Sequence, residues 1–333
     1  MPGISQQVAK GIYWIRMPLP FALDHINLWL LEDRLGGLDG WTLIDCGIDS
    51  PDSREVWQQI LSTQLMGKPI IRILVTHMHP DHIGNAHWLG KTFNAPLWIN
   101  PTEYYASHFA LNTDSGFAGT LAASFMASHG LPEGELLSGI KSRSNSYAKM
   151  VPSIPHQYVS ISNDEIIEIG GVDWRSIQGC GHSPAHISLY SADHKLLISG
   201  DMLLPKISTN VSVWATEPLA NPLKLFLDSI QLFTQLPSET LVCPSHGIPF
   251  RGIYWRVQEL VTHHQDRLQE VLTACDNAPQ SAYDITQIMF KKQLDLHQIV
   301  FAMGEALAHL HWWWHKGQLV RNEGQNGIFK FQT

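Results

Sequence analysis

Thr76-His77-Met78-His79-Pro80-Asp81-His82 constrains this chain more than any other stretch. Three histidines and an aspartate directly follow Ile70 to Val75, an apolar, β-branched run that reads as a buried strand. A strand ending in such a cluster delivers several metal-ligand types to one point. In a strictly extended strand His77 and His79 would share one face. Pro80 then turns the chain, so Asp81 and His82 can approach from another direction. The alternative, a polar loop after a strand, leaves this clustering unexplained even in a chain with 18 histidines.

At 333 residues the chain can bury one large domain, or one large and one small. Its 44% hydrophobic and 16% charged content fits a globular protein. A net charge of −8 argues against broad attraction to nucleic acid or an anionic membrane surface. Cys46, Cys180, Cys243 and Cys275 are far apart, so neither a zinc knuckle nor a disulfide framework is expected. No secretory signal opens the chain and no apolar run approaches ~18 residues. The expectation is a soluble, cytoplasmic protein.

The first segments, Ile12 to Ile15, Ile26 to Leu31 and Trp41 to Asp45, read as strands joined by turns, hence antiparallel. Ser50-Pro51-Asp52 signals a helix start, with helical spacing over Arg54 to Leu65. A helix over about Asn85 to Gly90 and a strand over Pro96 to Asn100 follow the histidine cluster. Residues 101–158 differ: helical or loop-like stretches broken by Gly116, Gly130, Pro132 and Gly139. They read as an insertion over one face, either a lid or substrate wall, or a dimerisation or packing element. Strand signals return at Ile166 to Ile169, Asp173 to Ile177, Ile187 to Ser191, Leu196 to Ser199 and Leu241 to Cys243, with a helix within Glu217 to Pro237. A two-layer β core with helices outside is the natural architecture. From Arg256 onward three helical stripes precede a hairpin signal at Asn326-Gly327, suggesting a small winged-helix-like domain over 256–333, after a main domain over 1–255. That tail carries seven basic and eight acidic residues, which favours packing or dimerisation over nucleic-acid reading.

Three further signals stand at strand ends: Gly179-Cys180-Gly181-His182-Ser183-Pro184, Ile198-Ser199-Gly200-Asp201 and Pro244-Ser245-His246-Gly247. Each is weak alone. Together with the first cluster they form an ordered set, His-x-His-x-Asp-His, then His, Asp and His. That set resembles the metallo-β-lactamase superfamily, with matching elements from Asp45 to Gly247. The resemblance implies an αββα sandwich of mixed α/β class and a binuclear metal site. His77, His79 and His182 would hold one ion, Asp81, His82 and His246 the second, and Asp201 would bridge them. Asp45 matches a position that supports the site from behind the ligands, or is a turn aspartate. The tail, through Phe301 to Leu310, resembles the winged-helix-like domain appended to one branch of these hydrolases.

Imidazole and carboxylate ligands suit two divalent ions, zinc first, with iron or manganese possible. Ions ~3.5–4 Å apart can share a water, lower its pKa towards ~7 and clamp the attacking and developing oxygens. Asp81 could orient the hydroxide and take its proton. The expected substrate is a small acyl compound: thioester, ester or lactone. Competing readings are a single-strand ribonuclease or phosphodiesterase, disfavoured by charge, a mononuclear-iron persulfide dioxygenase, and a non-catalytic metal-binding regulator. No membrane partner is expected, and a homodimer is possible. Among other residues, His25 could touch substrate, Asn210 to Trp214 could border the pocket, and His186 suggests structural hydrogen bonding. His263-His264 suggests a surface or interdomain position, and Trp312-Trp313-Trp314 packing.

Overall fold

A computed structural model describes residues 3–112, 117–324 and 326–333. The break expected at Gly116 lies outside them. In chain order the elements are β1 (Gln6–Ala9), β2 (Ile12–Pro18), β3 (His25–Leu35), β4 (Leu38–Ile44), α1 (Pro51–Thr63), β5 (Ile70–Leu74), α2 (Pro80–Ile83), α3 (Ala86–Phe93) and β6 (Leu97–Ile99). Then come α4 (Pro101–Asn112), α5 (Gly119–Ser128), α6 (Glu135–Lys141), α7 (Ser146–Met150), β7 (Tyr158–Ser160), β8 (Ile166–Ile169), β9 (Val172–Gly179), β10 (His186–Ser191) and β11 (Leu196–Gly200). The last are α8 (Pro222–Gln231), β12 (Leu241–Pro244), α9 (Ile253–Asn277), α10 (Ala282–Met289), α11 (Leu296–His315), β13 (Val320–Glu323) and β14 (Phe329–Gln332).

Strands β1 to β7 form one sheet in sequence order, antiparallel up to β4 and parallel from β4 to β7. The second sheet runs β12-β11-β10-β9-β8, parallel only at β11–β12. The sheets face each other through Trp29, Leu31, Ile44 and Leu74 on one side and Trp174, Ile187, Leu189 and Ile198 on the other. Helices cover the outer faces. Trp57 and Ile60 of α1 and Leu89 of α3 pack on the first sheet, and Leu223 and Phe226 of α8 on the second. The result is the αββα sandwich. The helix start expected at Ser50 is real: its hydroxyl accepts from the Ser53 N–H in a capping box.

A buried ion pair ties the sheets together. Arg72 of β5 donates to Asp33 at 2.5 Å and to the Glu168 carbonyl of β8 at 2.8 Å, while the Gly170 N–H reaches Asp33 at 2.8 Å. Removing one partner would strand a buried charge, at a cost of about 3–5 kcal/mol.

The insertion connects the parallel neighbours β6 and β7. Its later helices α5 and α6, the second sheet's outer face and α9 to α11 share one continuous core, which includes Met126, Ile140, Phe226, Val257, Met303 and Leu307. The tail is therefore three packed helices and a hairpin set against the sandwich. The hairpin forms as expected, but its strands end at Glu323 and begin again at Phe329. The Gly324 N–H bonds to Ile328 O, so Asn326-Gly327 lies inside a longer loop rather than forming a two-residue turn.

Candidate metal centre

The strand β5 stops at Leu74, before the first histidine. His77 and His79 therefore lie in an irregular turn, not on one face of a strand as strict extension would have it. Pro80 opens α2, which places Asp81 and His82 in its first turn. His182 comes from the loop between β9 and β10, Asp201 directly follows β11, and His246 stands two residues after β12. The ends of β4, β5, β11 and β12 thus meet at one edge of the sandwich, which is where side chains from separate strands can converge.

They converge in two groups. Ligand-type atoms of His77, His79, His182 and Asp201 all lie within 4.8 Å of one another, and so do those of Asp81, His82 and His246. In the first group His77 Nε2 is 2.9 Å from His79 Nδ1 and 3.2 Å from His182 Nε2. In the second, His82 Nε2 and His246 Nε2 lie 3.7 and 3.5 Å from Asp81 Oδ2. Asp201 stands between: Oδ2 is 3.1 Å from His182 Nε2, while Oδ1 is 3.5 Å from His82 Nε2 and 3.4 Å from His246 Nε2.

The opposite ring nitrogens are tied back into the protein, which fixes where the lone pairs point. His82 Nδ1 lies 2.7 Å from Asp45, whose carboxylate also accepts from the Thr76 N–H and hydroxyl. Asp45 is therefore no mere turn residue, although its φ of 60° puts it in the left-handed region. His182 Nδ1 donates to Asn210 O at 2.8 Å, and His246 Nδ1 to His25 O at 2.8 Å. With Nδ1 facing Asp45, His82 Nε2 is buried with no hydrogen-bond partner among the described residues. An orphaned buried ring nitrogen facing two carboxylates and a second imidazole is a place where a cation can replace a proton.

Electrostatics separate the two groups. Burial and neighbouring imidazoles hold His77 well below the usual histidine range, and burial with His182 takes His79 down to about 3. These rings stay neutral. Burial opposes charge at His246 too, but Asp201 and Asp81 raise it to about 10, and Asp45 with Asp81 outweighs burial at His82. Burial likewise opposes charge at Asp81, and His82 and His246 more than offset it, so Asp81 stays ionised. Carboxylates that recruit protons onto two imidazoles would equally recruit a divalent cation in their place.

Glu103, on the insertion's first helix, is a residue that sequence reasoning missed. It is fully buried. One oxygen accepts from the Met78 N–H at 2.9 Å; the other accepts from the Ser183 hydroxyl at 2.8 Å and the Ala185 N–H at 2.6 Å. Tyr147 of α7 donates to Met78 O at 2.6 Å. The insertion thus clamps the two histidine-bearing turns together. No local signal marks Glu103, because its partners lie 25 to 82 residues away.

Other expected residues fall into place around the site. His25 holds the His246 turn: its Nε2 accepts from the Gly247 N–H at 3.1 Å while Nδ1 faces Asp24 at 2.6 Å. His186 Nε2 accepts from the Asp201 N–H at 3.1 Å, a structural hydrogen bond as expected. It packs so closely on Gly200 that a Cβ there would collide with the ring. Thr209 donates to Asp201 O at 2.5 Å, and the Ser245 hydroxyl donates to Asp201 Oδ1. Trp313 donates to Leu268 O and packs with its two neighbours on the tail core. His264 is buried between α9 and α11 rather than on a surface, 3.2 Å from His309.

Comparison with known proteins places this geometry. Residues 22–246 match the family model "Metallo-beta-lactamase superfamily", and residues 268–333 match "Metallo-beta-lactamase-like, C-terminal domain". A beta-lactamase domain protein from Burkholderia ambifaria superposes with a TM-score of 0.94 at 45% identity, over 99% of this chain and 94% of that one. A metallo-beta-lactamase family protein from Thermus thermophilus does so at 0.79 and 26%, over 98% and 99%. YqjP of Bacillus subtilis, named a probable metallo-hydrolase, is 24% identical over 90% of this chain and 91% of its own length. With the family model spanning most of the sandwich and the second model the tail, this chain belongs to the metallo-beta-lactamase superfamily and is a hydrolase of that metal-dependent fold.

Proposed function

We propose that two divalent cations, zinc in the first instance, occupy the paired ligand groups and that the protein hydrolyses a small acyl compound, a thioester, ester or lactone. His77, His79 and His182 hold one ion, Asp81, His82 and His246 the other, and Asp201 spans both. The observation that carries this reading is Asp201, whose two oxygens face different histidine groups, at 3.1 Å on one side and 3.4–3.5 Å on the other. A carboxylate so placed is suited to bridging.

A bound ion pair supplies a water of lowered pKa and positive charge for the oxygen that becomes anionic during attack. The chain's own residues do the remaining work. Asp81 presents Oδ2 to His82 and His246 and keeps a second oxygen to orient the attacking water and take its proton. Asp45, Asn210 O and His25 O hold three imidazoles in the tautomer that aims Nε2 inward. Glu103 keeps the turns carrying His79 and His182 at a fixed separation. The net charge of −8 favours a small substrate over RNA.

Elemental analysis of purified protein, followed by a panel of thioesters, aryl esters, lactones and a labelled RNA, tests the proposal. Two metals per chain with acyl turnover are expected. One metal per chain, iron with oxygen uptake, or cleavage of RNA alone would overturn it.

A further inference from the structure

The two histidine groups are braced by different parts of the chain. Glu103 of the insertion grips the turns that carry His77, His79 and His182. The His246 turn is gripped instead by the β2–β3 hairpin. Asn27 of β3 is fully buried. Its Nδ2 donates to Pro244 O at 2.9 Å and to Gly247 O at 3.0 Å, and its backbone N–H donates to Ser245 O at 2.6 Å. These bonds bracket His246. A flipped amide would set Oδ1 against two carbonyl oxygens, so the partners themselves fix Nδ2 as the donor. Arg16 lies opposite Asn27 in the β2–β3 register and donates Nη2 to the same Gly247 O at 3.2 Å. His25, two residues before Asn27 and so on the same face of β3, accepts from His246 Nδ1 through its carbonyl at 2.8 Å and from the Gly247 N–H through Nε2 at 3.1 Å. The hairpin thus holds Pro244, Ser245, His246 and Gly247, every residue of the turn.

Packing alone does not call for an amide here. A buried Asn is costly unless its polar atoms are paired. Both Nδ2 hydrogens go to this one turn, while Oδ1 has no partner among the described residues. An apolar side chain would fill the space without stranding that oxygen, so what the amide adds is the position of the turn. The same turn presents the Ser245 hydroxyl to Asp201 Oδ1, the oxygen that faces His82 and His246. We propose that Asn27, with Arg16 beside it, is a positioning residue for the ion assigned above to Asp81, His82 and His246. The two ion positions are then set separately, the first by the insertion through Glu103 and the second by the β2–β3 hairpin through Asn27. This rests on the two-ion reading. A His246 free to swing weakens one ion's ligand set and leaves His77, His79 and His182 in place.

Zinc titration of the metal-free full chain by calorimetry tests this division. The parent should show two binding steps. Asn27→Ala should weaken one step by about tenfold or more and leave the other within about twofold, and Glu103→Gln should weaken the other step. Arg16→Met should weaken the same step as Asn27→Ala by about threefold, and Arg16→Lys, which keeps a donor, should restore it. Purely structural damage would lower the Tm of the metal-free protein and shift both steps together. Weakening of one and the same step by Asn27→Ala and Glu103→Gln, of both steps alike, or of neither, overturns the proposal. If Asn27→Ala does not fold, the Arg16 pair decides: two parental steps in Arg16→Met overturn it. One zinc per chain in the parent overturns the two-ion reading and the division with it. Two separable steps without turnover of any acyl compound would instead overturn the hydrolase reading and leave the division standing.

Discussion

Two regions of this molecule are rich in histidine, and they use it in opposite ways. Between His77 and His82 the rings are pinned through one nitrogen so that the other meets further ligands. In the tail the rings are pinned in a similar fashion: His309 Nδ1 donates to Glu305 O and His311 Nδ1 to Ala220 O, both at 2.8 Å. His311 Nε2 and His264 Nε2, like His82 Nε2, are buried with no partner among the described residues. Yet only in the first region do the described residues gather three or more candidate ligands, with carboxylates opposite the imidazoles. A buried imidazole becomes a candidate ligand through what faces its free nitrogen, not through burial or local sequence density.

The largest effects should come from breaking the first region. His79→Ala or Asp201→Ala should cut turnover by about a thousandfold or more, because the water loses its activating charge, while circular dichroism reports an intact fold. Near-parental activity in either variant would remove the residue from the site.

Asp45→Asn and Glu103→Gln sharpen the comparison, since neither residue is a ligand yet both hold the ligand turns in place. Each should lower metal affinity or activity about 10–100-fold. Titration with a metal indicator would show it, and parental affinity in both would reduce these contacts to packing.

Removing the metal with a chelator should lower Tm by roughly 5 °C or more, since ions that bind only the folded state stabilise it by several kcal/mol. Adding zinc should restore it. A Tm indifferent to chelation would contradict a bound centre.

Acid probes the tail. Burial holds His264 at about 3, and His309 and His311 at about 4, against 6.5 for a free group. The unfolded chain therefore takes up these protons first, and stability present above pH 6.5 is lost as pH falls towards 4, by roughly 1 kcal/mol per pH unit per histidine. Urea unfolding of metal-free protein at pH 7, 6 and 5 should show the decline, and a flat profile would refute it. The smallest effect is expected from His311→Asn, which loses one hydrogen bond, about 1 kcal/mol, with metal content and activity unchanged.

Much of the candidate site was legible because its candidate ligands sit where strands end, and strand ends show in composition. Ile70 to Leu74, Leu196 to Gly200 and Leu241 to Pro244 are apolar runs that stop beside His77, Asp201 and His246. The insertion was legible only as helical. Its clamp through Glu103 and Tyr147 joins turns with no pattern in common, and its lid or packing alternatives did not anticipate a support for the metal loops. The tail hairpin and a turn containing Asn326-Gly327 were legible because Asn-Gly is a local signal, whereas the pairing of Gln280 with Phe331, 51 residues apart, was not.

By itself the sequence determined the ligand types, their order and the two-layer class, since these depend on residue chemistry and short-period hydrophobic pattern. Only the tertiary structure decided which nitrogen of His82, His182 and His246 faces inward, and that Glu103 of the insertion holds the two histidine-bearing turns. Those depend on contacts such as Asp45 with His82 and Glu103 with Ser183. These contacts span 37 and 80 residues, and folding alone brings them within a few ångströms.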